Sequence, residues 1–166
     1  MILVPKYKNM VEVGGSLSII VTDTLTSTVK QELYVPNRIV TVGKNFIASR
    51  MVGTASSVMS HMGIGLGSTG DQDTDTALET ELTVGAGYTS YSRAALSIAT
   101  SSGSVVTYSA NFPANNPSAP SGGAVLREAG IFNASSGGTM LCRTTFPAVT
   151  KLPADALTIT WTVTIQ

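Results

Sequence analysis

The residues that close the chain constrain its fold more than any other stretch. In Leu157-Thr158-Ile159-Thr160-Trp161-Thr162-Val163-Thr164-Ile165-Gln166 every odd position is large and apolar, and every even one is Thr or Gln. A strand sends successive side chains to opposite faces, so this run carries an apolar ridge on one side and a row of hydroxyls on the other. β-Branched and aromatic residues also suit a pleated surface, so propensity and pattern agree. At roughly 3.3 Å per residue the run spans about 33 Å, longer than a typical strand. Burying its apolar side chains is worth about 8–15 kcal/mol before entropy is subtracted, enough to make it the spine of a core.

The rest of the chain supplies partners of the same kind. Leu17, Ile19 and Val21 alternate with Ser16, Ser18 and Thr22, residues 22–27 are turn-like, and Val29, Leu33 and Val35 share a parity on the return, which predicts a hairpin. Ala94, Leu96 and Ile98 line one face, Ser101-Ser102-Gly103 turns, and Val106, Tyr108, Ala110 and Phe112 come back. A third hairpin runs 124–132, turns at 133–138 and returns at 139–146. Between Gly43 and Met51 the period changes, with Phe46, Ile47, Arg50 and Met51 on helical spacing, so one short helix is expected there with Thr41 or Gly43 near its N-cap. Ala77–Leu82 reads as one helical turn. Pro5, Lys6, Lys8 and Gly14-Gly15 make residues 1–15 an extended N-terminal arm, and residues 16–166 a single domain. Some eight strands, one short α-helix and frequent turns predict an all-β fold, an antiparallel β-sandwich of jelly-roll-like type.

Several motifs invite a chemical reading and fail on their context. Gly65-Leu-Gly67-Ser-Thr-Gly70 matches a dinucleotide fingerprint, but Asp71, Asp73 and Asp75 follow at once and would repel a pyrophosphate. Those three aspartates copy the first liganding positions of a calcium loop, yet Thr76 stands where the loop needs Gly and Leu82 where it needs Glu. A looser calcium site completed by Glu79 or a neighbouring subunit stays open beside the plainer reading, a solvated acidic turn. His61 is the sole histidine and Cys142 the sole cysteine, which removes His-rich and Cys-rich metal sites and any intrachain disulfide. Cys142, among Met140, Leu141 and Phe146, reads as a small buried hydrophobe. Glu128 interrupts an apolar strand and is expected to pair with Arg127, Arg143 or Arg93. None of this predicts catalysis: no catalytic residue, no metal ligand and no cofactor is expected.

Charge decides among partners. Formal net charge is zero and 12% of residues are charged, against about a quarter in an average domain. A nucleic-acid binder needs a basic stripe, and none is present. No apolar run approaches the roughly 20 residues of a membrane helix, and the N-terminus lacks the pattern of a secretory leader, so assembly in a cytoplasm is expected. A weakly charged, hydroxyl-rich surface suits a protein that sits against other proteins.

Four segments together resemble a family of tailed-phage virion proteins. They are 35–43 running into Phe46-Ile-Ala-Ser-Arg50-Met51; Ser60-His61-Met-Gly-Ile-Gly-Leu-Gly67-Ser-Thr leading to Asp75-Thr-Ala-Leu-Glu79; Leu126-Arg-Glu128-Ala-Gly-Ile-Phe132 with Gly137-Gly-Thr-Met-Leu-Cys-Arg143-Thr-Thr-Phe146; and the closing strand. The resemblance covers residues 16–166 and is to small β-rich, tail-fibre-like proteins, some of which act as capsid cement (decoration) proteins, commonly as homotrimers. It implies a structural protein of the virion, on the capsid surface, that grips the major capsid protein. Two further readings remain open: a tail-fibre or baseplate module, and a receptor- or glycan-binding domain with Tyr88, Tyr91, Tyr108 and Trp161 as stacking residues. Three stretches are expected to meet neighbours: Met1–Lys8 as an arm, 113–123 as a reaching loop, and the Gly63, Gly65, Gly67 face as a close-approach surface.

Overall fold

The computed structural model describes residues 12–54, 57–85, 87–119 and 122–166, and the backbone alone of 98–100. Among the described residues it is an antiparallel all-β structure with one short helix, as the sequence predicts. The elements are β1 (Val13–Asp23), β2 (Thr28–Pro36), β3 (Arg38–Ile39), α1 (Thr41–Met51), β4 (His61–Gly65), β5 (Ala94–Ser102), β6 (Val105–Phe112), β7 (Ala124–Phe132), β8 (Met140–Lys151) and β9 (Asp155–Ile165). The strand order is β2-β1-β9-β6-β5-β4-β7-β8-β3, every pair antiparallel. The sheet folds back on itself at β5 and β4, which share only two residue pairs, His61 with Ala95 and Met62 with Ala94. Its two ends then approach: the Asn37 N–H donates to the Gly15 carbonyl at 3.2 Å, and the Thr150 N–H to Gln31 Oε1 at 3.0 Å.

The closing strand is the spine that its alternation predicts. β9 lies between β1 and β6, and its burial alternates along its length, with Leu157, Ile159, Trp161 and Val163 facing inward. Leu17, Ile19 and Val21 of β1 and Ala110 and Phe112 of β6 join them, against Met62, Ile64, Leu126, Ala129, Ile131, Leu141 and Cys142 from the other half. β1 opens at Val13, so residues 13–15 of the expected arm belong to a strand; residues 1–11, Met1–Lys8 included, lie outside the described residues.

In the other half, residues 128–132 of β7 and 140–144 of β8 are buried on both faces. β7 and β8 are covered on the outside by α1 and by the 66–82 segment, with Val40, Leu78, Phe132 and Met140 as a second, smaller core. The cap of α1 differs from expectation. It starts at Thr41 behind an extended Val40 cap with no side-chain bond, so Thr41 and Gly43 lie within its first turn, and the Asp73 carbonyl accepts the free Thr41 N–H at 2.7 Å. Gly43 is buried because the helix lies directly on β8; a Cβ there would overlap the Leu141 carbonyl. Ala77–Leu82 is a turn followed by a single bridge from Glu81 to Gly65, not a helical turn.

Candidate functional site

The acidic loop is the first place to look for chemistry, and its carboxylates are engaged by cations of the same chain. Arg38 spans two of them, donating from Nε to Asp71 at 2.7 Å and from Nη1 to Asp73 at 2.8 Å. Lys44 reaches Asp73 at 3.3 Å, and Arg143 Nη1 reaches Asp75 at 2.7 Å. Burial works to raise the Asp71 pKa, but bonds from Arg38 and Thr145 outweigh it and hold the carboxyl below its usual value. Arg38 and then Lys44 lower that of Asp73, and the Thr69 hydroxyl and N–H lower that of Glu79. Among the described residues no three His, Cys, Asp or Glu side chains stand where they could share a metal ion. The acidic turn is solvated at its tip, where Asp73 is half exposed, and is tied down as an ion-paired strap by the chain's own cations.

Glu128 anchors that strap. Its side chain is 0% exposed, yet all of its bonds are made: Oε1 accepts from the N–H groups of Thr80 (2.7 Å) and Gly67 (3.1 Å), and Oε2 from Arg143 Nε (2.8 Å) and the Glu79 N–H (2.9 Å). Of the three arginines expected as partners, Arg143 is the one. The reason is a register shift between Leu126 and Glu128, which turns β7 over so that Leu126 faces the core and Glu128 faces the strap. The glycines of β4 and Gly67 just beyond it make room for it: a Cβ on Gly65 or Gly67 would strike the Glu128 carboxylate, and one on Gly63 would crowd Glu81 and Phe132. The close approach expected at Gly63, Gly65 and Gly67 is real, but the chain's own strap makes it. All three are buried, so they form no surface for a partner.

The other candidates are also accounted for internally. The Ser60 hydroxyl and His61 Nδ1 lie 2.8 Å apart, a contact between sequence neighbours. Trp161 is fully buried, and the Tyr91 hydroxyl lies 3.1 Å from the Ile64 N–H and 3.2 Å from Glu81; Tyr88 and Tyr108 pack partly against the core. No stacking platform is formed by these four. Arg93 lines a groove of about 350 Å³ with Glu81, Val84 and Ser136, but its guanidinium is taken up by Glu81, by the Ala134 and Gly137 carbonyls, and by the Phe132 ring 3.4 Å away. Cys142 is buried as expected, and burial pushes its thiol pKa up. The 113–123 loop does not reach outward over its described part. Ser118 pairs with Ser90, the Asn115 N–H donates to Pro153, and the buried Lys151 ammonium donates to the Pro113 carbonyl at 3.0 Å.

Among the described residues, what stays open is the outer face of β2, β1, β9 and β6. Register aligns its side chains in rows: Tyr34, Ser18, Thr160 and Ser109; Pro36, Ser16, Thr162 and Thr107; Glu32, Ile20, Thr158 and Asn111. All are partly or well exposed except Ser109. Among the residues of these rows Glu32, at the rim, is the single charged side chain, and the Tyr34 hydroxyl donates to it at 2.6 Å. The sequence shows the hydroxyl row of β9 but not its continuation over β1 and β6, because pairing partners and register are not written in either strand alone.

The fold and these surfaces define an antiparallel β-sandwich with an ion-paired strap over one sheet and a nearly uncharged, hydroxyl-rich face on the other. Comparison with known protein families, characterised proteins and solved structures finds no match to this chain.

Proposed function

We propose that this chain is a structural protein of a tailed-phage virion: a capsid cement protein that binds the outer surface of the shell built by the major capsid protein and holds neighbouring capsomers together by adhesion. The resemblance carried by the four segments from Val35 to Ile165 gives the class. The observation that carries the adhesive reading is the face of β2, β1, β9 and β6 left open among the described residues, whose aligned rows offer hydroxyls and apolar groups with one charged side chain, Glu32, at the rim. Contact surfaces are depleted of charge at their centres, because each charge removed from water must be compensated. A rigid sandwich whose acidic loop is already neutralised by Arg38, Lys44 and Arg143 suits work done by contact area. Each copy then needs only ordinary interface energetics, because repetition over the shell multiplies the effect.

Copy number tests this reading. Gel densitometry of purified virions should find the protein at on the order of hundreds of copies, in fixed ratio to the major capsid protein, as a repeating symmetric shell requires. A few to a few dozen copies would assign it to the tail fibre or baseplate instead, and absence from the particle would refute both. Deleting residues 1–8 should lower shell occupancy; wild-type occupancy would remove the arm from the contact.

A further inference from the structure

We propose that the groove at the Asn37 corner binds an uncharged, extended segment of a partner protein, with the Asn37 carboxamide reading its peptide group. This goes beyond the capsid reading and does not depend on it; of the groove's residues only Pro36 also belongs to the rows of the open face. At Asn37 the chain crosses from β2 to β3, the two ends of the strand order, and a groove of about 430 Å³ opens there. Its walls are Val13 and Val35, which pack partly on the core, and the buried Ile39. The Asn37 backbone is fixed, its N–H donating to the Gly15 carbonyl, but its side chain is not. Both amide atoms are buried, and neither has a hydrogen-bond partner among the described residues. Buried polar groups are nearly always bonded, so an orphan that lines a groove marks a place for a ligand to complete. The other orphan among these residues, the Trp161 indole N–H, is sealed inside the core.

The orphan's chemistry selects the occupant. A carboxamide presents an N–H donor and a carbonyl acceptor side by side, and a peptide group offers the complement of both. A carboxylate meets only the donor and an ammonium only the acceptor, so each leaves one atom unpaired. The rim points the same way. Arg38 and Lys44 are bonded to Asp71 and Asp73 along it, two charges of each sign, so a charged ligand meets as much repulsion as attraction. The apolar walls seat one side chain beside that peptide group, and the groove's volume lies within the range of ligand sites. The last torsion of an asparagine is soft, so the amide can turn toward what enters the groove. An apolar residue with its two flanking peptide groups meets all of these conditions together.

The test titrates the isotope-labelled full chain with N-acetyl-leucine methylamide, one apolar residue between two peptide groups, and follows it by NMR. The expected result is a saturable shift of the Asn37 side-chain amide signals and of the Val13, Val35 and Ile39 backbone amides. A ligand of about 13 heavy atoms at ordinary efficiency should show a Kd of about 1 mM. Asn37→Leu should weaken binding at least about tenfold and yet raise Tm by about 2–12 °C, because it removes an unpaired buried amide. An asparagine that served only the fold would lower Tm on the same change. Isopentanol, which has the apolar body without the peptide groups, should bind at least about tenfold more weakly than the probe. The absence of any saturable shift, or unchanged binding in Asn37→Leu, would overturn the proposal. So would an Asn37→Leu chain that melts lower or does not fold, and so would isopentanol or adenosine binding as tightly as the probe. Binding that appears only once residues 1–8 are deleted would make the chain's own N-terminus the occupant, and the partner segment would fall with it.

Discussion

Replacing Glu128 by Gln tests whether one buried carboxylate fastens the 66–82 strap. The wild-type oxygens accept two bonds each, and all four donors are N–H groups, from Gly67 and Thr80 on Oε1 and from Glu79 and Arg143 on Oε2. A glutamine keeps one acceptor oxygen and turns the other position into an NH₂ donor. Whichever way the amide is flipped, two N–H donors then face another donor, and Arg143 loses a counter-ion inside the protein. Removing one partner of a buried pair costs about 3–5 kcal/mol, in line with the loss of two charge-assisted bonds at about 1.5–3 kcal/mol each. For a domain of this size each kcal/mol moves Tm by about 2–4 °C, so a drop of about 6–20 °C is expected. Urea unfolding followed through the single buried Trp161 gives the free energy, and amide exchange at Gly67, Glu79 and Thr80 gives the location. A double change, Glu128→Met with Arg143→Met, sharpens the test. Simple buried ion pairs tolerate apolar replacement, but here three backbone N–H groups would be orphaned, so the double variant should stay destabilised. A loss below about 1 kcal/mol with the Thr80 amide still protected would refute the reasoning.

Three further outcomes follow from the same structure. Gly43→Ala should cost about 1–3 kcal/mol in urea unfolding, because the new methyl meets the Leu141 carbonyl and α1 must lift from β8. Lys151 is buried, and burial lowers its pKa from 10.5 to about 8 while the nearby Asp155 opposes the shift. The unfolded chain therefore binds the extra proton between about pH 8 and 10.5, so stability should rise with pH across that window by up to about 3 kcal/mol; Lys151→Met should remove the rise in urea midpoints measured at its two ends. The melting temperature should be the same with calcium and with EDTA, since Arg38, Lys44 and Arg143 already neutralise Asp71, Asp73 and Asp75; a clear rise with calcium would show that the ion displaces them.

The elements legible in the sequence are those whose period survives along a whole strand. β9 alternates without interruption, and β1 and β6 nearly so, and these three lie side by side in the sheet. Phe46 and Ile47 pack on the core and mark the helix in the sequence, whereas Met51, on the same spacing, is exposed, and the cap leaves no mark because Val40 makes no side-chain bond. For Glu128 the sequence offers three arginines and does not choose among them. What selects Arg143 is the register shift after Leu126, a backbone event that leaves no mark in the alternation on either side of it. The turn at 77–82 failed as a helix for a related reason: the Glu128 carboxylate claims the N–H groups of Glu79 and Thr80. A competitor 48 residues away is invisible to a local reading.

Two surfaces with clear sequence signatures came out oppositely, and the difference carries the functional argument. Alternating glycines at 63, 65 and 67 state that something comes close to β4, and the alternating threonines of β9 state that one side of it carries no charge. Neither pattern says whose atoms fill the space. At the glycines the chain fills it itself, because Glu128, Glu79 and Arg143 draw the strap down onto the sheet and each bond closes within the molecule. At the threonines the rows on β1, β9 and β6 are left partly exposed, although the same chain has an ion-paired strap and a helix covering its other sheet. Among the described residues, strap and helix cover much of one sheet while the centre of the other stays open and free of charge, a surface composed like the middle of an interface rather than its rim. The search for a partner therefore belongs at Thr160 and its neighbours, and mutations there should alter assembly before they alter folding, while those at Glu128 should do the reverse.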